Sequence, residues 1–387
     1  DSAAMLELSQ RYSEAGKAAE AVHWVAHAAK LGDMAATTQL GLWLIAGENQ
    51  PQDIPTGAEY ITAAAKSGEP RACRLMINLH ASGTGLEKSW DKATSWLIRC
   101  AKAGDVYALL QLATVLRHHP RTIKLRQTLF FAAANAGLPS AQYMLGQDMI
   151  QTGVPADRLA GIGWIATAAN AGNMLAESTI ASFAGEKMCR GQAPGLVTRI
   201  PWQDMKRLVC LPHNAPLPAV ETLLKTPNVA VSRNVLPKSI CDYMICAGLP
   251  HILPATVNDA ERGEITDNSR TNGFANFRLL EADLITLSVD ALMLAVMGQP
   301  EATHCRCCNI SQARRTPRTM TISTRTSPTI RHNLKKADSA LKPACCISMT
   351  VMREGKPAFT IPAMTFAGTR GTCCSFRTSI KPDIPTA

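Results

Sequence analysis

The chain has 387 residues, which is enough for two or three domains with a substantial hydrophobic core. Its formal net charge is +10 at pH 7, from 40 Lys and Arg against 30 Asp and Glu. Residues 303–387 hold 14 of these basic and 3 of these acidic residues, which leaves 26 and 27 in residues 1–302. This distribution excludes a generally basic nucleic-acid-binding body and confines the positive charge to the tail.

The cysteines divide in the same way. Seven of the 13 lie in the tail, and the other six are scattered singly, unlike a disulfide framework or a zinc ribbon. We therefore expect a protein of a reducing compartment, with a cytoplasmic location. No run of about 18 apolar residues occurs, so we expect no transmembrane helix.

Five glycines mark an internal repeat in the first half of the chain. They are Gly32, Gly68, Gly104, Gly137 and Gly172, separated by 36, 36, 33 and 35 residues. Alanine stands three residues before and four residues after each glycine. A bulky residue stands eight residues before it, namely Trp24, Tyr60, Trp96, Leu129 or Trp164. The period predicts an array of helix pairs.

Each of these glycines is predicted to form the left-handed turn that ends one helix. The next residue, which is Asp33, Glu69, Asp105 or Asn173, is suited to cap the following helix, and Leu138 is the exception. Small residues beside the turn let two helices approach closely. The bulky position is predicted to fill the space between successive pairs.

A known family shows this pattern. The run Gly83-Thr84-Gly85-Leu86, followed by Lys92-Ala93, Trp96-Leu97 and Ala101-Lys102-Ala103-Gly104, resembles the Sel1-like repeat, a relative of the tetratricopeptide repeat. The resemblance covers about residues 5–185, in five copies that share one register. It implies a mainly α protein, with an α/α superhelical solenoid over residues 1–185 that binds a protein or peptide through its concave face and has no chemistry of its own.

Three tryptophans and two adjacent histidines in the repeats could each belong to a binding site or have only a structural role. Trp24, Trp96 and Trp164 fit core packing better than a ligand site. His118 and His119 fit a surface or core position better than a metal site, since nothing nearby in the sequence supplies further ligands at a sensible spacing.

The period is lost after residue 185, and residues 186–227 hold six prolines. We predict a linker over 186–226, with one short helix near 202–208. A second domain is predicted to follow, with a strand at 229–231, a helix that begins at Leu236 and Pro237, a hairpin-like segment at 262–277 and a helix over 283–297. The apolar faces of these helices are predicted to contain Ile240, Tyr243, Met244 and Ala247 in the first, and Leu284, Leu287, Ala291 and Leu294 in the second.

Residues 227–302 resemble the N-terminal part of the prolyl 4-hydroxylase family of Fe(II)- and 2-oxoglutarate-dependent dioxygenases. The residues that carry the resemblance are those from Val235 to Tyr243, Arg270-Thr271-Asn272 with Ala275 and Phe277, and the helix that opens at Asp283-Leu284 and ends at Gly298. It implies an incomplete α+β domain of the double-stranded β-helix type, with Fe(II), 2-oxoglutarate and ascorbate as cofactors. In the family the segment that matches Arg270, Thr271 and Asn272 borders the substrate groove, and an ion pair on the surface is the alternative role for Arg270.

The iron chemistry of that family needs residues that this chain lacks. Iron is held there by two histidines and one carboxylate, two of them supplied by a His-x-Asp on one strand. None of the nine histidines here is followed at the second position by Asp or Glu. Residues 303–387 contain three Phe and no Trp or Tyr, and they lack a sustained strand pattern. We therefore assign no catalytic and no metal-binding residue to this chain.

A shift of one base would restore the missing pattern. Each codon can be re-read from the last base of its predecessor and its own first two bases. Residues 305–321 can then encode Leu-Pro-Val-Leu-Gln-Tyr-Gln-Pro-Gly-Glu-Glu-Tyr-Ala-Pro-His-Tyr-Asp, with the His and Asp at Thr319 and Thr321. Ile384 is restricted to Tyr or His in the same frame. Our hypothesis is a frameshift near residues 302–304, tested by the coding DNA, which must allow His at 319 and Asp at 321.

Residues 303–387, the tail, can also be interpreted without a frameshift. Cysteines at 305, 307 and 308 beside His304 suggest zinc, but their spacing is not that of a ribbon or knuckle. The basic run at 314–318 suggests nucleic-acid binding, but the aromatic residues that stack on bases are not interleaved with it. We expect disorder, with short strands around Ile322, Ile330, Ile347 and Ile361 as the alternative.

The leading functional prediction is a prolyl 4-hydroxylase-like dioxygenase with protein-binding repeats that is inactive as written. The alternative is a non-catalytic helical-repeat adaptor. A third interpretation, nucleic-acid binding through the tail, would require affinity that falls steeply with salt. No membrane partner is expected.

Overall fold

The computed structural model describes residues 1–185 and 191–217. It further describes 219–224, 228–233, 235–254, 256–259, 263–266, 273–275, 277, 280–296, 319–323, 346–353, 356–360, 364–366 and 374–380. The chain forms two compact units. Unit 1 contains residues 1–125, 197–213 and 279–316, and unit 2 contains residues 126–196, 214–278 and 317–387.

Helices follow one another through the first half of the chain. They are α1 (Ser2–Glu14), α2 (Ala18–Lys30), α3 (Met34–Ala46), α4 (Ile54–Lys66), α5 (Pro70–Ser82), α6 (Trp90–Lys102), α7 (Val106–Val115), α8 (Ile123–Asn135), α9 (Pro139–Ile150), α10 (Pro155–Asn170) and α11 (Met174–Ile180). In unit 1 each helix from α1 to α7 packs on the next, and in unit 2 α9, α10 and α11 do the same. The prediction of a mainly helical array of consecutive packed helices is confirmed.

The repeat glycines form the turns that the sequence predicts. The φ angles of Gly32, Gly68, Gly104, Gly137 and Gly172 lie between 82° and 94°. At the first turn the Gly32 N–H donates to the carbonyl of Ala29 at 2.9 Å, and the Asp33 N–H donates to the carbonyl of Ala28 at 3.2 Å. This pair of bonds is the Schellman motif, and the other four turns repeat it. The alanine three residues before each glycine therefore supplies a turn acceptor.

The polar residue after each glycine caps the next helix. Side chains of Asp33, Asp105 and Asn173 each accept an N–H bond at 2.9 Å from the alanine three residues later. Glu69 accepts from the N–H groups of Arg71 and Ala72. Leu138 makes no capping bond, and its helix instead opens with Pro139 at the first position. The predicted caps and their one exception are confirmed.

Removal of the Asp33 cap gives a pH-dependent prediction. Hydrogen bonds from Ser2 and from the N–H of Ala36 lower the pKa of the Asp33 carboxyl below its ordinary value of 3.8. A lowered pKa contributes stability above the unfolded value, which is lost as the pH falls through the folded value. We expect Asp33→Ala to lower the free energy of unfolding by about 0.5–2 kcal/mol at pH 7. The difference in free energy of unfolding between wild type and Asp33→Ala should shrink below pH 4, and urea unfolding at several pH values measures it. A difference that does not change with pH would mean that the charge of Asp33 does not contribute to the cap.

Two helix pairs cross at facing glycines. A Cβ atom built on Gly41 of α3 would lie 2.8 Å from the carbonyl oxygen of Gly57 in α4. In unit 2 a Cβ on Gly146 of α9 would lie 2.6 Å from the carbonyl oxygen of Gly161 in α10. Both distances are shorter than real Cβ contacts. The closest approach of the paired helices is therefore at mid-helix, and not only at the turns where the sequence analysis places it.

The bulky repeat position is buried in only some copies. Leu129 is fully buried and Trp164 is 8% exposed, as predicted. Trp24 and Trp96 are half-buried and Tyr60 is 39% exposed, so the prediction of core packing is wrong for these three copies. The reason is helical geometry, because the core of α2 is formed by Ala21, Val25 and Ala28, and Trp24 stands at the edge of that stripe. Trp164 is covered additionally by later chain, since its Nε1 donates to the carbonyl of Gln192 at 2.8 Å.

The second half of the chain adds short helices and strands. They are α12 (Met205–Leu208), β1 (Val220–Leu224), β2 (Asn228–Arg233), α13 (Lys238–Gly248), β3 (Leu253–Pro254), β4 (Thr256–Asp259), β5 (Gly263–Thr266), β6 (Gly273–Phe274), α14 (Leu284–Val296), β7 (Thr319–Ser323), β8 (Cys346–Arg353), β9 (Lys356–Thr360), β10 (Met364–Phe366) and β11 (Cys374–Ile380). The predicted strand at 229–231 lies within β2. The predicted helix at 236 begins two residues later, with Pro237 as its N-cap.

The strands of unit 2 pair antiparallel. The largest sheet has the order β1-β2-β11-β10-β8-β7, with β9 paired to β8. Strands β4 and β5 form a hairpin, which begins before the hairpin-like segment predicted at 262–277. Of the tail residues expected in strands, Ile322 lies in β7 and Ile347 in β8, while Ile330 and Ile361 lie outside the described residues.

Candidate interaction surface

Helix α14 lies on three helices of the repeat array in unit 1. It packs against α5 and α7, which are the first helices of the successive pairs α5–α6 and α7–α8, and against α6. We call the surface that α5, α6 and α7 present to α14 the α5–α7 face. Eight of the 13 residues of α14 are buried, namely Leu284, Ile285, Thr286, Ser288, Val289, Ala291, Leu292 and Met293. The contact therefore buries most of a strongly apolar helix.

Two buried carboxamides hold the start of α14. Asn78 of α5 is 5% exposed and donates from Nδ2 to the carbonyl of Ala282 at 2.5 Å. Gln111 of α7 is 7% exposed, and its Oε1 accepts the N–H of Leu284 at 3.3 Å. The N–H groups of a helix's first turn have no partner within the helix, so a bond from outside satisfies one of them. The α5–α7 face thus contacts the backbone at the helix start, on both sides of Asp283.

A capping box completes this helix start. The Asp283 N–H donates to the hydroxyl of Thr286 at 2.8 Å, and the Thr286 N–H donates to the Asp283 carboxylate at 2.8 Å. Each residue therefore satisfies a backbone donor of the other. Of the two N–H groups between these residues, Gln111 accepts that of Leu284.

The middle of α14 contacts a histidine from the segment before β1. Ser288 is fully buried, and its hydroxyl oxygen accepts the backbone N–H of His213 at 3.1 Å and lies 2.9 Å from His213 Nδ1. The His213 ring stacks on Trp90 of α6, with ring centroids 4.1 Å apart. A serine beside a histidine is one element of nucleophilic catalysis, but a fully buried hydroxyl cannot meet a substrate. We interpret the contact as structural.

Residues 205–213 run along unit 1 and position His213. The Arg117 N–H donates to the carbonyl of Leu208, and the Cys210 N–H donates to the carbonyl of Val115, both at 2.8 Å. Lys206 pairs with Asp91 of α6 at 2.6 Å. The short helix that the sequence predicts near 202–208 is present as α12 and belongs to this segment.

The face of α14 that is most deeply buried differs from the predicted one. Leu287 and Leu294 of the predicted face are half-buried, whereas Ile285, Ser288, Val289 and Leu292 are buried. The prediction is right for Leu284 and Ala291, which are buried, and wrong for Leu287 and Leu294. Most side chains of this helix are apolar, so periodicity does not single out one face. The partner helices decide the face instead.

In unit 2, helix α13 packs on α9 and α11 in a similar way. Tyr143 of α9 is 2% exposed, and its hydroxyl accepts from Gln147 Nε2 at 3.1 Å. Asn173, which caps α11 with Oδ1, donates from Nδ2 to the Cys246 sulfur of α13 at 3.7 Å. Asn173 therefore contacts a side chain of α13, whereas Asn78 and Gln111 contact the backbone at the start of α14.

Burial dominates the protonation equilibria at the α13 contact. It raises the pKa of the Cys246 thiol to about 12, so this thiol remains protonated and unreactive near neutral pH. Burial also raises the pKa of Tyr143. The pKa of the Asp242 carboxyl is raised by burial, although the Lys238 ammonium one turn earlier donates to it and opposes the change.

The raised pKa of Asp242 predicts a stabilising substitution. An acid whose folded pKa is raised contributes stability below its unfolded pKa, and this contribution is lost as the pH rises through the folded value. Asp242→Asn should therefore become more stable relative to wild type as the pH rises above 4. Thermal unfolding of both proteins from pH 4 to 8 measures the difference. If the stability of Asp242→Asn relative to wild type stays constant or falls as the pH rises, the bond with Lys238 outweighs the burial of the carboxylate. Lys238 is about half exposed.

The residues that the sequence analysis assigns to a substrate groove, Arg270, Thr271 and Asn272, lie outside the described residues. Within the part of the chain that the structure describes, no three His, Cys, Asp or Glu side chains are grouped to hold a metal ion. His119 has a structural role, since its Nδ1 accepts the Arg121 N–H at 3.2 Å. None of the helices in the described ranges combines the length and apolar character that crossing a membrane requires.

Sequence reasoning missed the residues that hold α13 and α14. Asn78 and Gln111 each interrupt an apolar run, Leu-Met-Ile before Asn78 and Ala-Leu-Leu before Gln111. A single carboxamide inside such a run is a usable signal, because a buried amide needs a hydrogen-bond partner. The signal does not identify that partner, which for Asn78 lies 204 residues away.

Comparison with known proteins gives partial likenesses. No protein-family model matches the chain, and no curated protein matches it. A Sel1 repeat protein from Oxalobacter formigenes is 27% identical over 42% of this chain and 49% of its own, with a TM-score of 0.39. The protective antigen c5321 of uropathogenic Escherichia coli, which displays an SLR fold, is 21% identical over 54% of this chain and 46% of its own, with a TM-score of 0.40.

A Sel1 repeat protein from Klebsiella pneumoniae subsp. pneumoniae is 17% identical over 48% of this chain and 93% of its own, with a TM-score of 0.30. The chain spans about half the length of the first two structures. These likenesses are too distant to assign a role to any residue. The repeat architecture rests on the packed helices, the Schellman turns and the caps described above.

Proposed function

We propose that this chain is a non-catalytic helical-repeat protein that binds helical protein segments on the first helices of its pairs. The observation that carries the proposal is the seat of α14 on the α5–α7 face, where two buried carboxamides bind the backbone of an apolar helix. The contact of α13 with α9 and α11 supports it from a second pair of first helices. We further propose that the repeats are of the Sel1 type, supported by their period and capping pattern.

A binding measurement tests this proposal. Full-length chain with Val289→Asp and Leu292→Asp should release α14 from the α5–α7 face, because both side chains are buried there. A labelled peptide of residues 279–297, with three added C-terminal lysines for solubility, should then bind with a micromolar or lower Kd, read by fluorescence anisotropy. A peptide of the same composition in scrambled order is the control. Absence of binding to this variant and to wild type would refute the proposal.

We propose a cytoplasmic location for this function from the scattered cysteines of residues 1–302, of which Cys73 and Cys100 are buried free thiols and Cys241 is disulfide-bonded. The disulfide bond counts against a reducing compartment, and the two free thiols are compatible with one. The proposal predicts that their reaction with a thiol reagent requires unfolding, which mass spectrometry before and after denaturation would measure.

A second candidate function follows from the resemblance to the prolyl 4-hydroxylases. We propose that residues 227–302 descend from such a dioxygenase and that the chain is inactive as written. The order of β2, α13, the β4–β5 hairpin and α14 supports this descent, because it follows the element order expected from the resemblance. The residues present do not fit the iron site, since no His-x-Asp or His-x-Glu occurs in the sequence. No step of that chemistry is assigned to this chain.

Two measurements test this second candidate. The coding DNA decides the frameshift hypothesis, since it must allow His at position 319 and Asp at position 321 in the shifted frame. Turnover of 2-oxoglutarate coupled to peptide hydroxylation, measured with added Fe(II) and ascorbate, should be absent. Turnover by this chain would refute the proposed inactivity.

A further inference from the structure

We infer that Asn78 and Gln111 make the α5–α7 face selective for the capped N-terminus of an apolar helix, and that a partner helix must displace α14 to bind there. The inference rests on the proposed helix-binding function and specifies its ligand. The two carboxamides contact a carbonyl and an N–H on either side of Asp283, and neither contacts a side chain of α14 in these two bonds. They therefore recognise the position at which a helix begins.

The register of the bound helix follows from the two backbone groups that these bonds reach. Asn78 donates to the carbonyl that precedes the helix, and Gln111 accepts from the first N–H inside it. A helix laid in the opposite direction would present its C-terminal carbonyls at this position, and Gln111 would then have to rotate its amide so that Nε2 donates to them. A shift by one turn would place backbone groups that are already bonded within the helix beside both carboxamides. Such a shift would leave buried amide groups without a partner, which weakens binding.

The apolar part of the contact defines the rest of the ligand. Side chains at the positions of Leu284, Ile285, Val289 and Leu292 are buried, so a partner needs apolar residues at this spacing. Ser288 is fully buried against His213, which requires a small residue in the middle of the partner helix. An Asp-x-x-Thr capping box, as in α14, would satisfy the N–H groups of the cap residue and of the third helical residue, and Gln111 would accept that of the first.

Displacement is required because α14 is part of the same chain. A tethered helix acts at a high effective concentration, so a free helix of equal intrinsic affinity competes poorly with it. We expect the peptide of residues 279–297 to bind the Val289→Asp, Leu292→Asp chain at least 10-fold more tightly than wild type. A wild-type affinity equal to that of the variant would overturn the displacement part of the inference.

The role of the two carboxamides is tested by one further substitution at a time in the full-length Val289→Asp, Leu292→Asp chain. Asn78→Leu and Gln111→Met keep the side-chain volume and remove the donor and the acceptor. Each substitution should raise the Kd of the peptide of residues 279–297 about 10-fold. A variant of this peptide with Asp283→Ala and Thr286→Ala should bind weakly to every chain. A peptide of residues 237–249, which covers α13 and lacks a side-chain cap, should bind more weakly than the α14 peptide. Binding that is unchanged within 2-fold by both substitutions would overturn the selectivity while leaving the proposed function standing.

A second measurement needs neither peptide nor displaced helix. In otherwise wild-type chain, Asn78→Leu or Gln111→Met should increase hydrogen exchange of the first α14 amides about 10-fold, as read by mass spectrometry. Exchange in α3 and α4 should stay unchanged, which shows that the array remains folded. Loss of protection throughout unit 1 would indicate a general role in stability and would overturn the inference, as would unchanged protection of α14.

Discussion

Replacing Asp148 with alanine is expected to lower the free energy of unfolding by about 3–5 kcal/mol, the largest effect that we predict for a single substitution. Asp148 of α9 accepts a hydrogen bond from Arg126 Nη2 of α8 at 2.6 Å, and their side chains are 4% and 2% exposed. Burial lowers the pKa of Arg126, but the guanidinium remains charged. Removal of the carboxylate would therefore leave a buried cation without its counter-ion.

The pair itself is not expected to be a source of stability. Taking both charges out of water costs about as much as their attraction returns, so apolar replacements of similar volume are often neutral or stabilising. One repeat earlier, 33 residues before each of them, stand Ala93 and Val115, both buried. We expect Arg126→Met with Asp148→Leu to restore stability to within about 2 kcal/mol of wild type or above it.

Urea unfolding of Arg126→Met, of Asp148→Leu and of the double variant measures the coupling between these residues. Glu7→Ala is the matched control, because its ion pair with Arg11 is exposed, and we expect a change below about 0.5 kcal/mol. An Asp148→Ala effect as small as the control would mean that water or another group compensates the arginine. A double variant no more stable than either single variant would mean that the pair contributes more than its burial costs.

The features that the sequence predicts well are those set by neighbouring residues. A glycine followed by Asp or Asn specifies a left-handed turn and a cap, because both the φ preference and the capping bond act within a few residues. The turns at Gly32 and Gly104, with Asp33 and Asp105 after them, are therefore readable without knowledge of the fold. The exception at Leu138 is readable for the same reason.

Features set by distant residues were not predictable. The apolar sequence of α14 allows burial on several faces, and the choice depends on α5 and α7, about 200 residues earlier. Likewise, Arg126 and Asp148 look like ordinary surface residues in the sequence, since nothing local shows that two charged residues 22 positions apart meet in a core. The roles predicted for Arg270, Thr271 and Asn272 stay predictions, because these residues lie outside the described part of the chain.

The glycine crossing of α9 and α10 gives the second large predicted effect. We expect Gly146→Ala to lower the free energy of unfolding by about 1–3 kcal/mol, because the new Cβ would lie 2.6 Å from the Gly161 carbonyl oxygen. The contacted atom belongs to the backbone, so it cannot rotate away, and the two helices must move apart. The Ile165 side chain, 2.7 Å from the same Cβ, tightens the site further.

Helix propensity predicts the opposite sign for this substitution. In an exposed helix interior, alanine is more favourable than glycine by about 1 kcal/mol. Ala63→Gly, at an exposed position of α4, measures the contribution of helix propensity in the same protein. We expect it to lower the free energy of unfolding by about 1 kcal/mol. Gly161→Ala should resemble Gly146→Ala, since its Cβ would meet the Gly146 carbonyl oxygen at 2.6 Å.

Urea unfolding at constant temperature separates the two terms. If close packing of the helices dominates, both glycine substitutions destabilise the protein although alanine is the better helix former. The double substitution should then cost less than the sum of the two, because one separation of the helices accommodates both methyl groups. A gain in stability for Gly146→Ala would mean that the helices separate at little cost, and that these glycines are not needed for the close crossing of the pair.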